Sequence, residues 1–180
     1  PMMVSLYVKT ISDFLKSHKN KLTICDLGCG DFNIGKHFLE HAAYYYAIDI
    51  VESLVERNKN LFKAEHLEFQ CLDISKDNLP KADCAVLRQV LQHLSNNEII
   101  RILSMLEGFK YIILTEHIPQ GNFTPNKDKI ASQGIRLKEK SGVDILKPPF
   151  DFKIKKSEIL NEVILENDNG RIATILYTKT

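Results

Sequence analysis

Residues 24–35 read ICDLGCGDFNIG. An apolar run reaches Asp26, and Gly28 and Gly30 follow two apart. A run of this kind ending in glycines predicts a buried strand and a tight turn, where no Cβ keeps a ligand from the backbone. In an open parallel sheet, the mouth of such a strand is where nucleotides are held. The spacing narrows the choice. A dinucleotide fingerprint, G-x-G-x-x-G, needs a glycine at position 33, and position 33 is Asn. Asp26 and Asp31 also flank the turn. Carboxylates there would repel a pyrophosphate and would suit a ligand with a cationic part and hydroxyls.

Outward from this turn the chain alternates strand-like and helix-like segments. Residues 4–17 place Val4, Leu6, Tyr7, Ile11, Phe14 and Leu15 at helical spacing, which predicts an amphipathic opening helix. A strand is expected at 22–27, a helix at 33–42, a strand at 44–50 and a helix at 51–63. The last of these has Leu54, Val55, Asn58, Leu61 and Phe62 on one face. Strands are expected next at 67–73 and 82–89, then a helix at 96–109 that Ser95 or Asn96 can cap and Gly108 can end, then a strand at 111–117. Residues 118–152 are rich in Pro, Gly, Asn and Lys and read as a long excursion, a functional lid or a mobile loop. The last segment reads as a β-hairpin turning at Asn169-Gly170. Alternating strands and helices imply an α/β fold with a parallel sheet covered on both faces, and the hairpin adds an antiparallel strand.

The chain of 180 residues suits one domain, 1–180, with 118–150 as the excursion. Hydrophobic residues make up 44% and charged residues 26%, with a net charge of +1, so nothing suggests a global nucleic-acid field. No apolar run approaches the roughly 20 residues that span a bilayer, and the first twenty residues lack a signal-peptide pattern. Pro1, ahead of two methionines, reads as a processing scar and is set aside. The cysteines, at 25, 29, 71 and 84, form no C-x-x-C pair. They are expected to be reduced thiols in a cytoplasmic protein, with no metal site.

The ends of the next strands carry further acids. Asp49 lies about twenty residues past the turn, where a carboxylate accepts from ribose hydroxyls. Asp73 can accept from an adenine amino group, with Ile74 packed on the ring. Acids at successive loop starts beside two glycines match S-adenosylmethionine, with its amino group, sulfonium, ribose and adenine.

DLGCGDFNIG, YYAIDIVESLVERN, FQCLDI, ADCAVLRQVLQHLSNNEIIRIL and YIILTEH, in this order over residues 22–117, resemble the successive motifs of class I S-adenosylmethionine-dependent methyltransferases. The tail NKDK…GIRL…GVDILKPPF is similar to that of a subgroup of small bacterial methyltransferases. The resemblance implies a Rossmann-like three-layer sandwich with a seven-stranded, mostly parallel sheet of order 3-2-1-4-5-7-6 and strand 7 antiparallel. It implies that Gly28 and Gly30 pass under the methionine portion, and that Asp26 orients the turn or the amino group through water. Asp49 would hold the ribose with Ile50 against adenine, Asp73 and Ile74 would bracket the adenine, and the backbone near Leu87 and Arg88 would meet the amino group. Two departures stand out. Phe32 takes the place of a usual third glycine, and the family's helix between strands 5 and 6 is replaced by the excursion.

Each acid has a plainer reading as a helix or turn cap, and Asp31 in particular could merely start the following helix. His93 and His117 are the candidate general bases, each weighed against a structural role. Glu116 is a lesser candidate. Pro148-Pro149-Phe150 reads as a turn with packing, and the lysines of 127–156 as a solvated loop. The expected reaction is methyl transfer to an acceptor, a small molecule or sugar first and a protein or RNA second. A non-catalytic scaffold with the same fold is the rival. A nicotinamide oxidoreductase is disfavoured by Asn33.

Overall fold

The computed structural model describes residues 2–180, so Pro1 lies outside the described residues. Seven strands form one sheet of order β3-β2-β1-β4-β5-β7-β6. They are β1 (Leu22–Leu27), β2 (Ala42–Asp49), β3 (Leu67–Cys71), β4 (Cys84–Arg88), β5 (Tyr111–Pro119), β6 (Lys156–Leu165) and β7 (Gly170–Thr178). β1 pairs in parallel with β2 and β4, and β2 with β3, while β7 runs antiparallel to both β5 and β6. This is the Rossmann-like α/β order expected. The chain divides into two compact units, up to Val86 and from Leu87 onward.

In the first unit, α1 (Met2–Lys16) buries Tyr7, Ile11, Ser12 and Leu15, which is the amphipathic stripe of the sequence. β1 and β2 contribute Ile24, Cys25, Leu27, Tyr45, Ala47 and Ile48 to the core. α2 (Glu52–Leu61) buries Val55 and Asn58, whereas Leu61 is exposed. The segment after the glycine turn departs from expectation. It is a 3-10 helix over Gly35–His41 rather than an α-helix over 33–42, with no side-chain cap. Phe32, in the left-handed region at φ 63°, breaks the helical path just before it. A short 3-10 turn offers little dipole, so no strong positive helix end follows the glycine turn.

In the second unit, α3 (Asn96–Met105) starts on a capping box. Ser95 Oγ accepts from Glu98 N, and the Glu98 carboxylate accepts from Ser95 N. A 3-10 turn, Leu106–Gly108, closes it. Residues 118 and 119 finish β5, and residues 120–152 are fastened rather than loose, although their regular structure is a single 3-10 turn, Arg136–Glu139. Asn126 is buried with its amide nitrogen donating to the carbonyls of Asp144 and Pro148 at 2.8 and 3.0 Å. Arg136, 3% exposed, donates to the carbonyls of Lys127 and Leu94 and to Asn96 Oδ1 at 2.7–2.9 Å. The polarity that suggested a loop is spent on this internal lattice. The β6–β7 turn occupies 166–169, with Asn169 at φ 54°, and Gly170 opens β7 instead of sitting in the turn. Among the described residues, no helix is long and apolar enough to cross a membrane.

Candidate functional site

The glycine turn is built on β1 and secured by β2. Gly28 N and Cys29 N both donate to Ile48 O, at 2.8 and 2.9 Å. Gly28 and Gly30 have φ of 85° and 58°, which explains glycine at both positions. A Cβ on Gly30 would meet nothing within 4 Å, so the turn opens onto free space.

Asp49, at the end of β2, ties the turn to the next helix. Its Oδ2 accepts from Gly30 N and its Oδ1 from Val51 N, each at 3.0 Å. A carboxylate has about four acceptor sites, so two remain for hydroxyls. Ile50 beside it is 63% exposed, an apolar β-branched surface at the mouth of the sheet. Asn58 completes the arrangement from α2. It is fully buried and its Nδ2 donates to Gly30 O at 2.8 Å. The signal for this residue was an amide on an otherwise apolar helix face, which the periodicity alone assigned to the core.

Asp26 turns inward. Its Oδ2 accepts from Tyr45 Oη at 2.8 Å. Burial pushes the Asp26 carboxyl up to about 7, opposed by the Tyr45 bond and reinforced by the Asp49 charge. Burial, followed by the neighbouring Asp26 charge, drives the Tyr45 hydroxyl well above its usual range. Asp26 is thus held inward by Tyr45.

Phe32 accounts for the missing third glycine. Its backbone adopts the positive φ that glycine takes easily, and its ring, 0% exposed, fills the core. It meets Tyr45, Phe62 and Phe69 edge-on, with centroids at 5.5, 5.2 and 5.0 Å. Edge-to-face pairs are worth about 0.5–1.5 kcal/mol each beyond burial, enough to outweigh roughly 1–2 kcal/mol of left-handed backbone strain. The ring also dictates Gly35, because a Cβ there would lie 2.5 Å from Phe32 Cε2.

Asp31 and Asp73 both make the bonds of turn-forming residues. Asp31 accepts from Asn33 N and Asn33 Nδ2 at 3.0 and 2.7 Å. Asp73, two residues past β3, accepts through Oδ1 from Ser75 N and Ser75 Oγ at 2.9 and 2.7 Å. The Ser75 hydroxyl bond is the main reason its carboxyl is held below the usual range. Its Oδ2 faces Lys76 Nζ at 3.7 Å. Ile74 is half-buried beside it.

In the second unit, Leu87 is fully buried, so only its backbone can serve a ligand. Gln89 has φ 54° and its N donates to Thr115 O at 2.7 Å, which bends the chain away from β4 after Arg88. Glu116, also buried, accepts from Leu91 N and Gln92 N at 3.2 and 3.1 Å. Burial pushes its carboxyl up to about 8, against those two bonds and the charge of Arg136. Glu116 therefore braces the turn after β4. His93 has a buried Nδ1 without a partner, and its Nε2 lies 3.4 Å from Gln92 Nε2. His117 lies on the opposite face of β5 from Glu116, with Nε2 at 3.2 Å from Asp168 Oδ2. Asp168, Gln92, Arg136 and Tyr45 carry much of this organisation. Nothing local in the sequence marked them, because their partners are remote along the chain.

A family model described as a methyltransferase domain matches residues 25–108. No curated protein sequence matches significantly. Solved structures share the fold. A SAM-dependent methyltransferase from Leishmania major has a TM-score of 0.70 at 15% identity, over 98% of this chain and 72% of that one. Human N-acetylserotonin methyltransferase, solved in complex with S-adenosylmethionine, has a TM-score of 0.67 at 16% identity over 98% of this chain. This chain spans 51% of the human protein's chain. The N-methyltransferase NodS from Bradyrhizobium japonicum has a TM-score of 0.65 at 10% identity, over 98% and 97% of the two chains. At these identities the likeness is one of fold.

Proposed function

We propose that this chain is a class I S-adenosylmethionine-dependent methyltransferase, a reading supported by its fold and by the methyltransferase domain matched over residues 25–108, and that it transfers a methyl group to a small molecule or sugar. The observation that carries the reading is Asp49. It pins Gly30 and the start of α2 with one lone pair from each oxygen and keeps acceptor capacity for a ribose, next to the exposed Ile50. The donor set suits the cofactor: an open glycine turn for the methionine portion, a carboxylate for the hydroxyls and an apolar face for adenine.

In this reading Gly28 and Gly30 pass under the methionine portion, and Asp26 acts through Tyr45 to keep the turn in place. Asp49 binds the ribose hydroxyls and Ile50 packs on the adenine. Asp73 offers Oδ2, with Ile74 beside it, to the adenine edge, while Asp31 shapes the turn. When bound, the cofactor supplies a methyl already activated on a sulfonium. The protein's task is then to align an acceptor and, where the acceptor carries a proton, to remove it. His93 and His117 are the groups available for that removal. Residues 118–150 are fastened within the second unit through Asn126 and Arg136. The four free cysteines accord with a cytoplasmic setting.

The test is incubation with S-adenosylmethionine carrying a labelled methyl group and a cell metabolite extract. Label in the small-molecule fraction supports the proposal. Label only in protein or RNA redirects the acceptor class. No label, with the cofactor demonstrably bound, makes the chain a scaffold.

A further inference from the structure

A pocket of about 390 Å³ lies between the segment after β5 and the β6–β7 hairpin, wholly inside the second unit. That volume is in the range of small-molecule sites. β7 supplies one wall. Arg171, Ile175 and Tyr177 lie at alternate positions of that strand and share a face. Phe123, Val143 and Leu146 supply the wall opposite. Gly142 lets this wall approach closely, because a Cβ there would come within 2.8 Å of Ile118 Cγ2. Ile159, 54% exposed, lines the pocket from β6.

Two polar groups of the pocket are left without a match. Tyr177 is 4% exposed, yet among the described residues its hydroxyl has no hydrogen-bond partner. Burial, and then the charges of Asp144 and Glu116, push that hydroxyl above its usual range, so the Asp144 carboxylate lies within electrostatic reach of it. Asp144 uses Oδ1 to accept from Leu146 N at 3.0 Å, and Oδ2 stays open. Its backbone is clamped. Asn126 Oδ1 accepts from Asp144 N and Asn126 Nδ2 donates to Asp144 O, each at 2.8 Å. A carboxylate held in this way can meet a cation without reorganising. The other charged residues of the lining already have opposite charges beside them. Arg171 Nη1 is 3.1 Å from Glu162 Oε1, and Glu158 faces Lys156 at 3.9 Å. Among the described residues Asp144 has no cation within ion-pair distance. Arg171 Nε is also buried without a partner, which is the feature a carboxylate ligand would use. The guanidinium charge is spent on Glu162, however, and Asp144 would repel such a ligand.

We propose that this pocket binds a small organic amine, a protonated amino group carried on an apolar body. The ammonium donates to Asp144 Oδ2 and to Tyr177 Oη, and the body packs on Ile175, Val143 and Phe123. The ligand exchanges water for a carboxylate and a hydroxyl, so its charge is buried in paired form. The site uses no part of the glycine turn and does not rest on the methyltransferase reading.

The experiment titrates phenethylamine, hydrocinnamate and phenethyl alcohol into the intact chain at neutral pH, followed by isoleucine-methyl and tyrosine-ring NMR. Phenethylamine should shift Ile159, Ile175 and Tyr177 saturably and bind more tightly than the other two. Asp144→Asn keeps an oxygen for Leu146 N, so its melting temperature should hold while affinity for phenethylamine falls roughly 10- to 150-fold. Tyr177→Phe keeps the ring and should weaken binding by roughly 2- to 12-fold. Absence of a saturable shift up to millimolar phenethylamine, or equal affinity in Asp144→Asn, overturns the proposal. Hydrocinnamate binding as tightly as phenethylamine also overturns it and gives the pocket to a carboxylate on Arg171. The same shifts on concentrating the protein alone would mean that a second copy covers the groove, which overturns it too. No cofactor is present in these titrations, so failure of S-adenosylhomocysteine to bind would touch the methyltransferase reading alone.

Discussion

Replacing Phe32 reverses an ordinary rule of protein stability. Elsewhere glycine is less stabilising than alanine by about 0.5–1 kcal/mol, because it has more backbone entropy to lose. At position 32 the backbone sits at φ 63°, where alanine carries left-handed strain of roughly 1–2 kcal/mol and glycine carries almost none. Both substitutions lose the fully buried ring and its three edge-on partners, and a Phe-to-Ala change of this kind costs about 3–5 kcal/mol. Phe32→Gly should therefore be less damaging than Phe32→Ala, by up to about 1.5 kcal/mol. Urea unfolding of the two variants and the wild type measures this order. A second arm uses Gly35, where a new Cβ would lie 2.5 and 2.7 Å from two ring carbons of Phe32. Gly35→Ala should cost about 1–3 kcal/mol in the wild type, as overpacking does, and much less once the ring is gone. If Phe32→Ala were the more stable of the two, or if Gly35→Ala cost the same in both backgrounds, the account of Phe32 as a strained anchor would be refuted.

Two further outcomes can be checked. Arg136→Met strands the carbonyls of Lys127 and Leu94, so stability should fall by more than about 2 kcal/mol and limited proteolysis should begin to cut within 118–140. Unchanged proteolysis would mean the excursion is held by other contacts. Asp26 has a folded-state value raised to about 7, so its protonated form is favoured by folding and its contribution is fully present below about pH 4. That contribution should fade as pH rises towards 7, and Asp26→Asn should flatten this part of the stability profile; a profile identical to wild type would contradict it.

Much of the frame was legible because it rests on local patterns. The run into Asp26, the alternation of strands and helices, and the capping residue Ser95 all declare themselves within a few residues. The role of Asp49 in holding the turn was not separable from its expected role towards a ribose, since the Gly30 and Val51 bonds appear only in three dimensions. The 3-10 helix at 35–41 has the sequence pattern of an α-helix, because the deciding fact is the backbone of Phe32 and not the composition of the helix itself. Arg136 and Asn126 look like loop residues, yet they are buried by partners distant in sequence. The same holds for Asp168, whose meaning depends on His117 from a separate strand. Local pattern shows where the chain turns; it does not show which remote polar groups the turns bring together.

The central claim is that the β1–β2 mouth is an adenosyl site organised by Asp49. Calorimetric titration of S-adenosylhomocysteine into the wild type and Asp49→Ala tests it most directly. Hydrogen bonds to a charged acceptor are worth about 1.5–3 kcal/mol, so affinity should fall by roughly 10- to 150-fold in the variant. Equal affinity in the two proteins, or no binding to the wild type, would contradict it.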